Sequence, residues 1–289
     1  VIYYKAMIED IGLRNFFPIL LVLFLLGLFI GSFLNVVTVR YNTGRSMVTG
    51  RSMCFSCGKT LKWYELVPVI SFVLQGGRCH GCKSRISWQY PAVEFLTGML
   101  FALVWVFVPV AQADPLALAY YLIMMALLVA ITVYDLKHQI IPDAFVYAFA
   151  ALALGYFVLN TENFDAILSI PALYTLLAGP FLALPFAALW LVSKGRWIGL
   201  GDAKLALGIG WFLGLPLGGS AIILSFWVGA AVGLLLIAAS HAHAHITHAK
   251  TFSLKSEIPF GPFMILGMLA VLFSGLNVFD LGGLFPMPF

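Results

Sequence analysis

From Phe16 to Val39 the chain runs without a single charged residue. A helix needs about 20 apolar residues to cross about 30 Å of hydrocarbon, so this run is long enough to span a bilayer. It exceeds the roughly 7–15 apolar residues of a secretory signal and no small-residue cleavage pattern follows it, which predicts a retained anchor. Apolar windows recur at about 91–110, 116–134, 144–159, 171–193, 204–218, 219–240 and 262–279, which predicts about eight transmembrane segments. In lipid every backbone N–H and C=O must be paired within the protein, and helices do this segment by segment. The expected fold class is therefore an all-α polytopic membrane protein. Only 10% of the residues are charged, against about 25% in soluble domains.

Charge sets the expected orientation. The segment 40–90 holds eight Lys and Arg, and 135–143, 194–204 and 241–261 add six more, so that fourteen of the sixteen basic residues fall on one face. Loops predicted on the other face carry Asp114, Glu162, Asp165 and Asp280 and no base. The positive-inside rule puts the basic face in the cytoplasm. The net charge of +4 is then explained by membrane orientation and requires no nucleic-acid partner.

All four cysteines lie in the basic segment after the first span, as Cys54-Phe-Ser-Cys57 and Cys79-His-Gly-Cys82. Two C-x2-C knuckles about 21 residues apart come close to the spacing of four-thiolate zinc sites, where each tight turn presents two sulfurs of a tetrahedron. Gly58 and Gly81 suit such turns. A reducing cytoplasm disfavours the alternative of stable disulfides. His80, inside the second knuckle, is expected as a neighbour and not a ligand. A small cytoplasmic zinc-binding insert with four cysteine ligands is expected, with the run from Leu66 to Leu74 lying along the headgroups or covering the metal.

Acids at membrane depth are suspected of function first, because hydrocarbon disfavours their ionised form. Asp135 closes the third predicted span, and Asp202 follows Gly199 and Gly201 at the mouth of the sixth. Both face the basic side, from different helices. The two glycines allow backbones to approach closely. Two adjacent carboxyls share a proton, so one can activate water while the other protonates a carbonyl oxygen or a leaving amine. Pro142 suits the first turn of the following helix, and Asp143 after it reads as a solvated cap or a loop-orienting acid. Lys204 is expected to anchor headgroups or tune Asp202. Asn35 reads as helix-packing glue.

Together these pieces resemble the bacterial type IV prepilin peptidases. The matching runs are Gly31-Ser32-Phe33-Leu34-Asn35-Val36-Val37, the paired Cys knuckles, Ile86-Ser87-Trp88-Gln89-Tyr90-Pro91-Ala92-Val93-Glu94, Asp135 ahead of Ile141-Pro142-Asp143, Gly199 to Leu205, and Ile258 to Phe263. A lone GxGD is also similar to presenilin-type and preflagellin peptidases; the knuckles in this order narrow the match. The resemblance implies an aspartic peptidase of the bacterial inner membrane that removes the basic leader from type IV prepilins or pseudopilins at the cytoplasmic face. Asp135 and Asp202 would be its catalytic acids. Members with the Cys insert also methylate the new N-terminal amine using S-adenosylmethionine, and Glu94, in the family's YPxxE run, is a candidate contact for that amine. No glycine-rich signature marks the methyl-donor site. On this reading 1–39 is the anchor, 40–90 the insert and 91–289 the transmembrane peptidase domain.

Two other readings stay open. One is a zinc-stabilised transporter with relay aspartates, which would need acids near the midplane. The other is a peptidase whose insert docks assembly proteins without methylating. The tract His241, His243, His245 and His248 departs from the family pattern and reads as a solvated helix end or a metal site.

Overall fold

The computed structural model describes residues 13–160, 170–247 and 258–280. Among them the fold is helical, and the β pairing consists of two isolated bridges, Met53 with Thr60 and Arg78 with Arg85. The chain forms two compact units, Val1–Val133 and Tyr134–Phe289.

In the first unit, α1 (Leu13–Arg40) is followed by a 3-10 turn (Trp63–Leu66) and a short helix α2 (Ile70–Leu74). Then come α3 (Gln89–Phe107), α4 (Pro109–Ala113) and most of α5 (Pro115–His138). Helices α1 and α3 pack through glycines. A Cβ on Gly27 would lie 2.6 Å from Gly98 Cα, and one on Gly31 would lie 2.7 Å from Glu94 Cα. Gly27 and Gly31 form the G-x-x-x-G spacing that lets membrane helices touch backbone to backbone, where van der Waals packing takes over from the hydrophobic effect. Asn35 adds a hydrogen bond from Nδ2 to Tyr90 O at 3.1 Å. The outward side chains include Phe17, Val22 and Phe29, which suit contact with lipid tails.

The second unit begins inside the last turns of α5 and continues with α6 (Asp143–Leu159), α7 (Ile170–Ser193), α8 (Leu200–Thr247) and α9 (Gly261–Ser274). Small residues again set its contacts. A Cβ on Gly210 would meet Ala178 O at 2.6 Å, and one on Gly267 would collide with Ala221 O. Trp211 Nε1 donates to Leu176 O at 2.9 Å, fixing α8 against α7.

Among the described residues, five helices are long and apolar enough to cross a membrane: Phe16–Arg40, Gln89–Phe107, Pro115–His138, Leu173–Ser193 and Leu200–Ser240. The expected spans at 144–159 and 262–279 are shorter helices, of 17 and 14 residues. The expected pair 204–218 and 219–240 is one helix with a break at Gly214, where φ is 76° and ψ 176°. That conformation is open to glycine alone. Gly208 and Gly210 admit Phe149 and the α7 backbone. The side chains of the histidine tract 241–248, and Glu162 and Asp165, lie outside the described residues.

Candidate active site and thiol cluster

Asp135 occupies the last turn of α5 and Asp202 the first turn of α8, and both are buried. Gly199 stands immediately before α8. Its N–H donates to the Asp202 carboxylate, while the Asp202 N–H donates back to Gly199 O at 3.3 Å. The two contacts hold the acid against the start of its own helix. Asp135 receives its backbone donor from a distant segment, the N–H of Gly261 at the start of α9. The Asp135 charge acts on Asp202.

Ile141 ties the two acids to one framework. A Cβ on Gly201 would lie 2.8 Å from Ile141 Cβ, and one on Gly261 would lie 3.1 Å from Ile141 Cδ1 and 2.6 Å from Asp135 Oδ2. The loop between α5 and α6 therefore wedges Ile141, itself buried, against glycines beside each aspartate. Sequence reasoning treated Gly199 and Gly201 alike. The structure separates them: a Cβ on Gly199 would make only ordinary contact, 3.6 Å from Asp202 Oδ2.

Pro142 is the N-cap of α6, one position before the first turn where the sequence placed it, and Asp143 is the first helical residue. Lys204 Nζ pairs with Asp143 Oδ1 at 2.6 Å and lies 4.9 Å from the Tyr147 ring. Its described partners thus come from α6. Exposed pairs of this kind contribute about 0.2–1 kcal/mol, and the Asp143 side chain is 65% exposed.

Glu94 belongs to the first unit. It is buried, accepts the Val69 N–H at 2.7 Å and is hydrogen-bonded by the Ser32 side chain.

The sulfurs of Cys54, Cys57, Cys79 and Cys82 lie within 4.8 Å of one another, and all four thiols are free. The knuckles share one hydrogen-bond pattern: Cys54 N–H to Lys59 O with Gly58 N–H to Cys54 O, and Cys79 N–H to Ser84 O with Lys83 N–H to Cys79 O. The matching left-handed positions are Gly58 and Lys83, with φ of 69° and 60°, so Gly81 does not supply the turn the sequence assigned it. A tetrahedron with Zn–S bonds of about 2.3 Å needs sulfurs about 3.8 Å apart, and Cys54 Sγ and Cys82 Sγ are 3.8 Å apart. The Cys57 and Ser56 N–H groups aim at Cys54 and lower its pKa to about 6, favouring the thiolate that binds metal, whereas against the Lys59 N–H the Cys82 and Cys54 sulfurs push Cys57 up to about 11. The donor set fits zinc. Beside it, Lys59 Nζ pairs with buried Glu65 at 2.8 Å, and Glu65 also accepts the Lys62 N–H at 2.8 Å. Sequence reasoning missed Glu65, Ile141 and Gly261 as supports. The last two stood inside quoted runs, but only their tertiary neighbours give them roles.

Residues 25–108 match the sequence model of the bacterial peptidase A24 N-terminal domain, and residues 122–234 that of the type IV leader peptidase family. Among curated proteins the chain is 35% identical over 222 residues to the prepilin leader peptidase/N-methyltransferase of Myxococcus xanthus, spanning 75% of this chain and 63% of that protein. It is 28% identical to the Bacillus subtilis protein of the same name, over 88% of this chain and 94% of that one. For the Pseudomonas aeruginosa protein of that name the values are 30%, 86% and 89%. No solved structure matches the chain.

Proposed function

Because the chain belongs to the type IV leader peptidase family, we propose that it is a multi-pass membrane peptidase that cuts the leader from prepilins or pseudopilins with Asp135 and Asp202 as its catalytic acids. The observation that carries the reading is the pair of buried, interacting carboxylates, each held by one backbone N–H, on helices braced by Ile141. A carboxylate with one oxygen held still has free lone pairs for water. One aspartate, ionised, takes a proton from water as the oxygen attacks the scissile carbonyl carbon. The other, protonated, gives its proton to the carbonyl oxygen; proton return to the amide nitrogen then releases the amine. Gly199, Gly201 and Gly261 hold this geometry, and the Lys204–Asp143 pair links α8 to α6 beside it. The basic bias of the segments flanking both acids supports a cytoplasmic site in the inner membrane.

The insert 40–90 is proposed as a zinc-stabilised module, with Cys54, Cys57, Cys79 and Cys82 as structural ligands. The relatives' name supports a second activity, methylation of the new N-terminal amine. S-adenosylmethionine would supply the electrophilic methyl group for it. The described residues single out no set for this donor.

Purified protein in detergent, given a prepilin and methyl-labelled S-adenosylmethionine, tests the reading. Leader loss with label on the mature product is expected. Leader loss without label would leave a peptidase alone, and the absence of both leader loss and label would overturn the proposal.

A further inference from the structure

Glu94 is buried on α3, in the first unit. Ser32, which hydrogen-bonds to it, and Asn35 lie one turn apart on α1, while Tyr90 and Glu94 lie one turn apart on α3. The two helices meet here at backbone distance, because a Cβ on Gly31 would be 2.7 Å from Glu94 Cα. Asn35 Nδ2 donates to Tyr90 O, which fixes the amide orientation, since the reversed amide would set oxygen against oxygen. Its Oδ1 is then left buried with no hydrogen-bond partner, in a residue 1% exposed. Buried polar atoms are normally paired, and exceptions call for a physical reason.

A second irregularity adjoins the first. Val69, whose N–H reaches Glu94, has φ 58° and ψ −49°. The Ile70 N–H bonds back to Pro68 O, so Val69 is the centre of a γ-turn of the rare hand, strained for any residue and more so for a β-branched one. A buried carboxylate thus clamps a strained turn. Beside it sits an orphaned acceptor, and the cluster as a whole has acceptors to spare. A donor-rich cation complements such a set.

We propose that Glu94, Ser32 and Asn35 form a binding site for the free α-ammonium of a processed peptide, with the Val69 N–H standing in for it in this structure. Entry of the ammonium would satisfy Asn35 Oδ1, replace the Val69 donor and release the strained turn. This deepens the proposed methylation by giving its acceptor nitrogen a place.

The test compares a peptide matching the N-terminus of a processed prepilin, with a free α-amine, against the same peptide N-acetylated. Both are titrated onto the full-length protein in detergent. Acetylation is expected to weaken binding at least tenfold. Glu94→Gln and Asn35→Leu, checked for folding by their thermal midpoints, should each erase that preference. Hydrogen exchange at the Val69 amide should accelerate when the free-amine peptide binds to the unaltered protein. Equal affinity for the two peptides, or an unchanged Val69 amide, would overturn the site and leave Asn35 Oδ1 to a bound water. Selective binding by a protein that neither cleaves nor methylates would keep the site and remove the activity proposed above.

Discussion

A Cβ placed on Gly261 would lie 2.6 Å from Oδ2 of Asp135, closer than van der Waals contact permits, although 126 positions separate the two residues. The Gly261 N–H is also the backbone donor to that carboxylate. The atom in the way is the end of a side chain, so Gly261→Ala will move the carboxylate before it moves the fold. A displacement of about 1 Å at a catalytic group costs on the order of 100-fold in rate. Gly261→Ala should therefore lower kcat by about that factor, with KM and the thermal midpoint nearly unchanged. Steady-state cleavage beside thermal unfolding checks this.

The glycines of the run before Asp202 are expected to differ. At Gly201 the obstructing atom is Ile141 Cβ, 2.8 Å away, the root of a side chain that cannot swing aside. Overpacking of this sort costs about 1–3 kcal/mol. Gly201→Ala should be destabilised by that amount. Gly199→Ala, whose new atom meets only ordinary contacts, should lose severalfold less. Thermal unfolding of the two variants side by side decides it, and equal losses would contradict the wedge at Ile141.

Glu65 makes the insert sensitive to acid. The Lys59 ammonium beside it and the Lys62 N–H hold its carboxyl below the usual 4.5. The folded form thus binds the proton more weakly than the unfolded form does. That contribution to stability is complete at neutral pH, starts to fade near 4.5 and is lost as the pH falls through the lowered value. Unfolding of Glu65→Gln compared with the unaltered protein should show a gap that is constant around neutrality and closes in acid. Lys59, held above its usual 10.5 by the same pair, predicts a second closure at strongly alkaline pH.

Metal content tests the thiol cluster. Four sulfurs within 4.8 Å of one another should retain zinc through purification, and Cys54→Ser or Cys79→Ser should remove most of it. Elemental analysis by mass spectrometry reads this directly. Unchanged zinc in both variants would reject the ligand assignment.

What the sequence disclosed follows from the range of each interaction. Uncharged runs locate apolar helices because lipid acts on every residue of a span. The boundary expected between 218 and 219 in the long run after Asp202 lies four residues past the break at Gly214, because glycine has two uses that look alike in sequence. Gly208 and Gly210 make room for neighbouring helices, and Gly214 alone carries the conformation that breaks the run. Cysteine spacing disclosed the cluster, since each knuckle is a local turn, but nothing local told that Lys83 would take the left-handed position in the second one. The contacts of Gly261 with Asp135 and of Glu94 with Val69 are tertiary and leave no periodic trace. They became legible only once the helices were placed.

The central claim, that Asp135 and Asp202 act together on one water, is tested most directly by prepilin cleavage with Asp135→Asn and Asp202→Asn in proteins of unchanged thermal midpoint. Each substitution alone should reduce cleavage by about 10³-fold or more, and the double variant should lose little beyond the worse single one, as expected of groups that work as a unit. Either single variant retaining near-full cleavage would contradict the account.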